Sequence, residues 1–425
     1  MSFQQGLSGL YASSKALDVT SNNVANSATV GFKSAQAHFA DVFAASLSGG
    51  GSAQVGIGVS VGAIQQQFTQ GNITTTNNPL DISINGGGFY RMSTNGTITY
   101  SRAGQFHLDK DGFVIDDRSR KLTGYLADAA GTIVQAAPAE LQLSSANQDP
   151  VATGPAGDPA AGVKANLNFD SRSLVPTVAP FNKDTPASYN FSTATAIYDT
   201  LGNSHTLTMY AVKTAGVGTW NVFASVDGTD PAFTGLASNA LTFDTSGKLT
   251  GSSVLTASVQ LGNVLAAQTP PQINSAVDPL TFDINFAGST QFGSAFGTNS
   301  LQQNGYTTGR LTGVNVGSDG VIRGNYSNGQ ARNLGQVVLT SFTNPNGLTS
   351  LGGNQWAETS ASGSALVGAP NTGTLGVLQS AAIEESNTDL TAELVNMITE
   401  QRNYQANAQS IKTQDQILQT LVNLR

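Results

Sequence analysis

Apolar side chains recur every seven residues at both ends of the chain and every two residues through its middle. Near the C-terminus, Leu390, Met397, Tyr404, Ile411 and Leu418 form one row, and Leu394, Ala408 and Val422 fill a second row four residues on. This heptad spacing predicts a long amphipathic helix. Ser386, Asn387 and Asp389 stand before it with N-cap chemistry. From Leu390 to Arg425 such a helix runs ~54 Å at 1.5 Å per residue. The N-terminal segment carries a weaker copy: Phe3, Leu10, Leu17 and Val24 at the same spacing, with Leu7 between the first two. Gln401 and Asp415 interrupt the C-terminal rows, and Ser14 and Ser21 the N-terminal ones. A handful of apolar side chains at ~1.5–3 kcal/mol each stands against ordering roughly three dozen residues at ~1–2 kcal/mol apiece. The two helices are therefore expected to need neighbours, being loose in the free chain and ordered in an assembly.

Between the helices the pattern is that of β structure. Asn-Gly and Asp-Gly pairs recur (Asn85-Gly86, Asn95-Gly96, Asp111-Gly112, Asp227-Gly228, Asn304-Gly305, Asp319-Gly320, Asn328-Gly329, Asn346-Gly347) and accept the positive φ of tight hairpins. Leu280, Phe282, Ile284 and Phe286 alternate along one strand face, and the run Ala196–Tyr198, a Gly202-Asn203 turn and Thr206–Val212 predict a hairpin. Strands do not alternate with helices, which argues against a doubly wound nucleotide fold.

Breakers mark the boundaries. Eleven of the fourteen prolines fall between Pro138 and Pro279, while glycine is absent from Leu10 to Val30 and from Val377 to Arg425. The expected fold class is mainly β with α-helical termini and nested domains. Residues 1–30 and 386–425 form a terminal helical domain, and 31–70, with its Ser48–Ser52 Gly/Ser stretch, and 363–385 are connectors. Residues 71–146 and 289–362 form one β domain, and 147–288 a second, inserted one.

Composition removes most chemistry. Nineteen Lys+Arg against 27 Asp+Glu give a net charge of −8, so a basic nucleic-acid footprint is absent. No apolar run approaches the ~18 residues of a membrane span. The chain has no cysteine and three widely separated histidines, His38, His107 and His205, which excludes disulfides and thiolate metal sites and leaves little for zinc or general-base work. Gly56–Gly62 mimics a dinucleotide fingerprint but spaces its last glycine wrongly and reads better as a strand. Asp109–Asp117 hints at a calcium loop, yet its glycine is fourth instead of sixth and the bidentate Glu is missing, so a hairpin turn is expected. Walker, H-E-x-x-H and G-x-S-x-G motifs are absent. No catalytic, cofactor or metal site is expected, and the chain reads as a non-enzyme. The first residues lack the basic and apolar regions of a secretory signal.

The terminal segments carry a resemblance. Asn22-Asn23-Val-Ala-Asn26-Ser-Ala-Thr-Val-Gly31-Phe32-Lys33 resembles the N-terminal signature of bacterial flagellar rod and hook proteins. Its physics is a helix end, an Asn-rich turn, Gly31 to redirect the chain and Phe32 as an anchor. Val395–Gln409 resembles the matching C-terminal helix, and Ile411–Arg425 the close of hook proteins in particular. Leu80–Tyr90, Tyr100–Asp109 and Gly324–Leu339 look like the family's β regions, with Ser83 and Tyr90 where many members have Ala and Phe. The likeness spans roughly residues 1–146 and 289–425.

This resemblance implies a structural subunit of the flagellar hook, self-assembling into a flexible tube that passes torque from motor to filament. The terminal helices would pair as a coiled coil lining a channel, with seam residues Phe3, Leu7, Leu10, Leu17, Val24, Leu390, Leu394, Met397, Tyr404, Ile411, Leu418 and Val422. The β domains would form a middle and an outer layer. It further implies further copies of itself, the distal rod, the hook cap, the hook–filament junction protein and the flagellar export apparatus as partners, and an extracellular location reached without a cleaved signal. A distal rod protein is the alternative within the family. A secreted β-rich adhesin or glycan-active protein is the alternative outside it, and it has no need of heptads at both termini.

Overall fold

The computed structural model describes residues 2–42, 56–128, 130–144, 146–158, 161–229, 240–251 and 253–423. The Ser48–Ser52 stretch and the side chain of Val422 lie outside the described residues. The chain is mainly β with a helix near each terminus, and it divides into two compact units, residues 1–145, 312–325 and 331–425, and residues 146–311 and 326–330.

In the first unit the N-terminal helix spans Ser2–Ala25 and the C-terminal helix Leu390–Asn423. The C-terminal helix starts where the sequence supplies a cap: Asp389 Oδ1 accepts the backbone N–H groups of Thr391 (2.9 Å) and Ala392 (3.2 Å). Asn387, expected as cap chemistry, is used elsewhere. Its Oδ1 accepts the Ser34 N–H at 2.8 Å and its Nδ2 donates to the Gln67 carbonyl at 2.7 Å.

The segment expected as a connector at 31–70 contains an antiparallel hairpin instead, Ala35–Val42 against Gly58–Gln66, with a bulge at His38/Phe39. The second strand takes up the Gly56–Gly62 run expected as a strand, while the first is largely exposed and carries no clear apolar alternation. The unit's large antiparallel sheet is built around Phe89–Thr94, Thr97–Ser101 and Lys121–Leu126 and continued by Ala331–Val337, and the 363–385 segment expected as a connector pairs Val377–Ser380 with Ile82–Asn85 and Ala382–Glu384 with Ile73–Thr75. Asn95 (φ +51°) and Gly96 (φ +85°) close its tightest hairpin, the conformation an Asn-Gly pair accepts. Asp109 Oδ1 accepts the N–H groups of Asp111 and Phe113 in the turn between His107–Leu108 and Val114–Ile115. Ile82, Ile84, Tyr90, Met92, Phe106 and Leu122 form its main core, and Phe68, Phe89, Phe342 and Trp356 an edge-to-face aromatic cluster beside it.

The second unit packs two five-stranded sheets face to face. One is a meander, Phe191–Tyr198, Ser204–Lys213, Thr219–Val226, Ala240–Phe243 and Leu249–Thr250. The other centres on Val163–Asp170 and Leu280–Asn285. Leu280, Phe282, Ile284 and Phe286, placed on one face by their alternation, are all buried, as is Trp220. The unit extends past the expected boundary at 288, because Gly297–Gln303 pairs with Val163–Asp170 and Gly309 bridges to Gln148.

Candidate assembly interface

The N-terminal helix turns a row of small and polar residues toward the C-terminal helix. Gly6, Ser13 and Thr20 repeat at seven, as do Gly9, Ala16 and Asn23, and all six but the half-buried Gly9 are buried. A Cβ placed on Gly6 would lie 3.0 Å from Ile411 Cγ1, and one on Gly9 2.9 Å from Asn407 Oδ1. At the other end Asn23 Nδ2 donates to Glu393 Oε1 at 3.1 Å. Rising positions on one helix meet falling positions on the other, so the pair is antiparallel. On the C-terminal helix the half-buried positions are Glu393, Met397, Glu400, Asn407, Ala408, Ile411 and Gln414.

The seam within one chain is therefore not the one the large apolar rows suggested. Met397 and Ile411 face the partner helix, but Phe3 (46%), Leu7 (53%), Leu390 (46%), Leu394 (44%) and Leu418 (55%) are exposed. Tyr404 is exposed too, and Leu10, Leu17 and Val24 are half-buried. Small side chains let two helices approach closely, whereas the leucines point aside. Leu7, Leu10, Tyr11, Val59, Val61 and Tyr404 line an open apolar groove.

The strand hairpin is tied along the N-terminal helix at both ends. Gln5 Nε2 donates to the Gly56 carbonyl at 2.5 Å, and Ser8 Oγ accepts the Val59 N–H at 3.2 Å. At the far end Asn23 copies a strand partner: Oδ1 accepts the Ala35 N–H at 2.9 Å and Nδ2 donates to the Ala35 carbonyl at 2.8 Å. Asn23, 2% exposed, thus joins helix, hairpin and the C-terminal helix. Asn22 and Asn26 make the local turn, Asn26 Nδ2 donating to the Asn22 carbonyl at 2.9 Å.

Gly31 and Lys33 complete the motif. Gly31 has φ +70°, and a Cβ there would sit 2.6 Å from the Ala103 nitrogen, so glycine alone fits. The anchoring expected of Phe32 falls to Lys33, since Phe32 is half-buried and the Lys33 side chain fully so. Lys33 Nζ contacts Glu384 Oε1 at 2.6 Å and donates to the Thr69 carbonyl at 2.7 Å. Arg102 Nη1 reaches the other oxygen, Oε2, at 3.2 Å, and its Nη2 donates to the Gly86 carbonyl at 2.9 Å. Glu384 Oε1 also accepts the Gly71 N–H at 2.9 Å. Burial pushes the Lys33 amine below its ordinary range, and the Glu384 charge works against that. This buried triad joins the exits of both helices to the β sheet. Arg102 lay inside a recognised stretch, but neither it nor Glu384 was singled out. Among the described residues no group of three His, Asp or Glu side chains is placed to hold a metal ion, and no helix is long and apolar enough to cross a membrane.

Four family models match the chain. They are the flagella basal body rod protein at 3–33, the flagellar hook protein FlgE/F/G D1 domain at 83–148, the flagellar basal body protein FlaE D2 domain at 166–306 and the flagellar basal body rod FlgEFG protein C-terminal at 379–424. The flagellar hook protein FlgE of Escherichia coli is 42% identical over 429 residues, covering 100% of both chains. That of Borreliella burgdorferi is 31% identical over 457 residues, covering 100% of this chain and 99% of the relative. Among solved structures, Helicobacter pylori flagellar hook protein FlgE2 overlays with a TM-score of 0.49 at 13% identity, covering 72% of this chain and 99% of that one. With 42% identity sustained from end to end, the chain belongs to the flagellar hook protein FlgE family.

Proposed function

We propose that this hook subunit assembles by offering the large apolar rows of its two terminal helices to neighbouring copies, building a helical tube that bends while it passes torque from motor to filament. The family is a structural one and its place is the flagellar hook. One observation carries the reading: the helices meet through small residues, while Phe3, Leu7, Leu390, Leu394 and Leu418 remain exposed in the single chain. So many exposed large apolar side chains along two helices mark surface that a partner covers. Burying the exposed part of each side chain contributes about 1 kcal/mol. One contact is thus weak, and a lattice in which every copy repeats it holds. Contacts between unlike faces do not close on themselves and give a helical polymer.

In that polymer the antiparallel helix pair forms the inner coiled coil around a channel. The distal rod, hook cap and hook–filament junction protein meet its ends, and the flagellar export apparatus delivers the chain. The test is Leu390→Asp and Leu7→Asp in the purified protein, followed by electron microscopy and sedimentation. Both variants are expected to keep the wild-type melting curve and lose polymerisation. Ile411→Asp is expected to part the helix pair as well, because Ile411 lies on the seam within the chain. Normal polymers from Leu390→Asp and Leu7→Asp would refute the reading.

A further inference from the structure

In the 146–311 unit, His205 opens the strand Ser204–Lys213 and lies buried between two carboxylates. Its Nδ1 is 2.7 Å from Asp227 Oδ2, and its Nε2 is 3.6 Å from Asp199 Oδ2. Asp199 closes the turn after Phe191–Tyr198, and Asp227 (φ +48°) the turn after Thr219–Val226. Each carboxylate is held in turn. Asp199 Oδ1 accepts the N–H groups of Leu201 (2.9 Å) and Asn203 (2.8 Å), and its Oδ2 accepts Nδ2 of Asn203 (2.9 Å) and of Asn274 (3.0 Å). Asp227 accepts the Thr206 N–H at 2.7 Å and Gln268 Nε2 at 3.3 Å. Two turns, the start of a strand and the segment after the short helix Leu261–Ala266 therefore converge on one imidazole.

The 2.7 Å contact to Asp227 and the nearby Asp199 charge favour the doubly protonated ring, with Nε2 facing Asp199 at 3.6 Å and making no hydrogen bond of its own. A neutral ring protonated at Nδ1 turns the Nε2 lone pair toward the Asp199 carboxylate, and the other tautomer turns a lone pair onto Asp227 at 2.7 Å. Only the imidazolium presents N–H to both. Among the described residues Asp199 and Asp227 are the charged groups that act on the ring, while Asn203, Gln268 and Asn274 around them are neutral.

We propose that protonated His205 is a clasp holding these turns together, and that its deprotonation as pH rises loosens that end of the unit. The hydrogen bond that His205 Nδ1 donates to Asp227 first, then the charges of Asp227 and Asp199, raise the imidazole pKa against the opposing pull of burial. A group whose pKa is raised on folding contributes stability that is full below the unfolded value of about 6.5 and lost as pH rises through the folded value. Both carboxylates stay ionised over that window, so losing the proton leaves two anions, the buried Asp199 and the half-buried Asp227, around a neutral ring. The inference rests on this cluster alone and is independent of how the chain assembles.

The test is histidine-selective NMR of the full chain carrying His38→Gln and His107→Gln, two exposed positions, so that a single imidazole titrates. Its midpoint is expected above 6.5, with exchange of the Leu201, Asn203 and Thr206 amides rising through the same midpoint. A midpoint at or below 6.5, or amide exchange indifferent to it, overturns the proposal. Asp227→Asn, which keeps an acceptor and removes the charge, is expected to move the midpoint back toward 6.5. An unchanged midpoint likewise overturns it.

Discussion

Glu384→Gln isolates the buried triad. The carboxylate takes contacts from Lys33 at 2.6 Å and Arg102 at 3.2 Å, and the three side chains are 0%, 4% and 0% exposed for Lys33, Arg102 and Glu384. Removing the anion strands two cations away from water, a change that costs about 3–5 kcal/mol when one partner of a buried pair is lost. For a unit of this size each kcal/mol lowers the melting temperature by about 2–4 °C, so a fall of about 6–20 °C is expected in the calorimetric transition of the helix-bearing unit. Lys33→Met is the informative contrast. It leaves Arg102 and Glu384 as a neutral pair and forfeits only the Lys33 contacts, for a smaller loss of about 1–3 kcal/mol. Glu385→Gln, one residue on and exposed, stays within about 0.5 kcal/mol. The reasoning fails if Lys33→Met proves more damaging than Glu384→Gln, or if Glu384→Gln melts with the wild type.

Three further outcomes follow from the same geometry. Gly31→Ala forces a Cβ into φ +70° and to 2.6 Å from the Ala103 nitrogen, so it lowers stability by at least about 2 kcal/mol in urea unfolding. Ala16→Leu, on the buried small-residue row, parts the two helices and raises amide exchange along both, whereas the exposed Leu7→Ala leaves the exchange of the free chain unchanged. In acid, the Asp199 and Asp227 carboxyls sit below their ordinary range: burial pulls upward most strongly of any single cause, but the hydrogen bonds from Asn203 and Leu201 to Asp199 and from His205 and Thr206 to Asp227, with the His205 charge, together outweigh it. Their contribution is therefore present above about pH 3.9 and lost as pH falls through the depressed values. Asp227→Asn flattens that acid limb of the melting temperature.

What was legible in the chain was local. The seven-residue rows, the Asp389 cap and the Asn95-Gly96 hairpin each need only neighbours a few residues away, and each stands where the sequence put it. The seam within the single chain is not legible in the apolar rows for a physical reason: Gly6, Ser13, Ala16 and Thr20 carry no hydrophobic signal, and their value lies in close approach. Half of the hairpin at 35–66 was legible, in the Gly56–Gly62 run, while its mostly exposed first strand shows no clear alternation. Long-range pairings were illegible outright. Glu384 meets Lys33 across 351 positions and Arg102 across 282. Strand Gly297–Gln303 joins a unit whose first strand lies well over a hundred residues earlier.

The two kinds of contact in the helical region divide the labour of a polymer subunit. A seam of Gly6, Gly9, Ser13 and Ala16 against Asn407 and Ile411 gives close fit but little apolar area, and by itself it sets register weakly. Register comes from polar pins at one end, where Asn23 binds Ala35 and Glu393 and where Glu384 holds Lys33 and Arg102. Buried polar groups serve this purpose in helical assemblies because each misplaced register strands them unpaired. The pinned end is the one joined to the sheet, and the helix ends at Phe3 and Leu418 lie away from it. A subunit built this way fixes the direction in which its helices leave the body while keeping their distal faces apolar and open. Were the seam made of leucines instead, the pair would satisfy itself within one chain and leave nothing for its neighbours to cover.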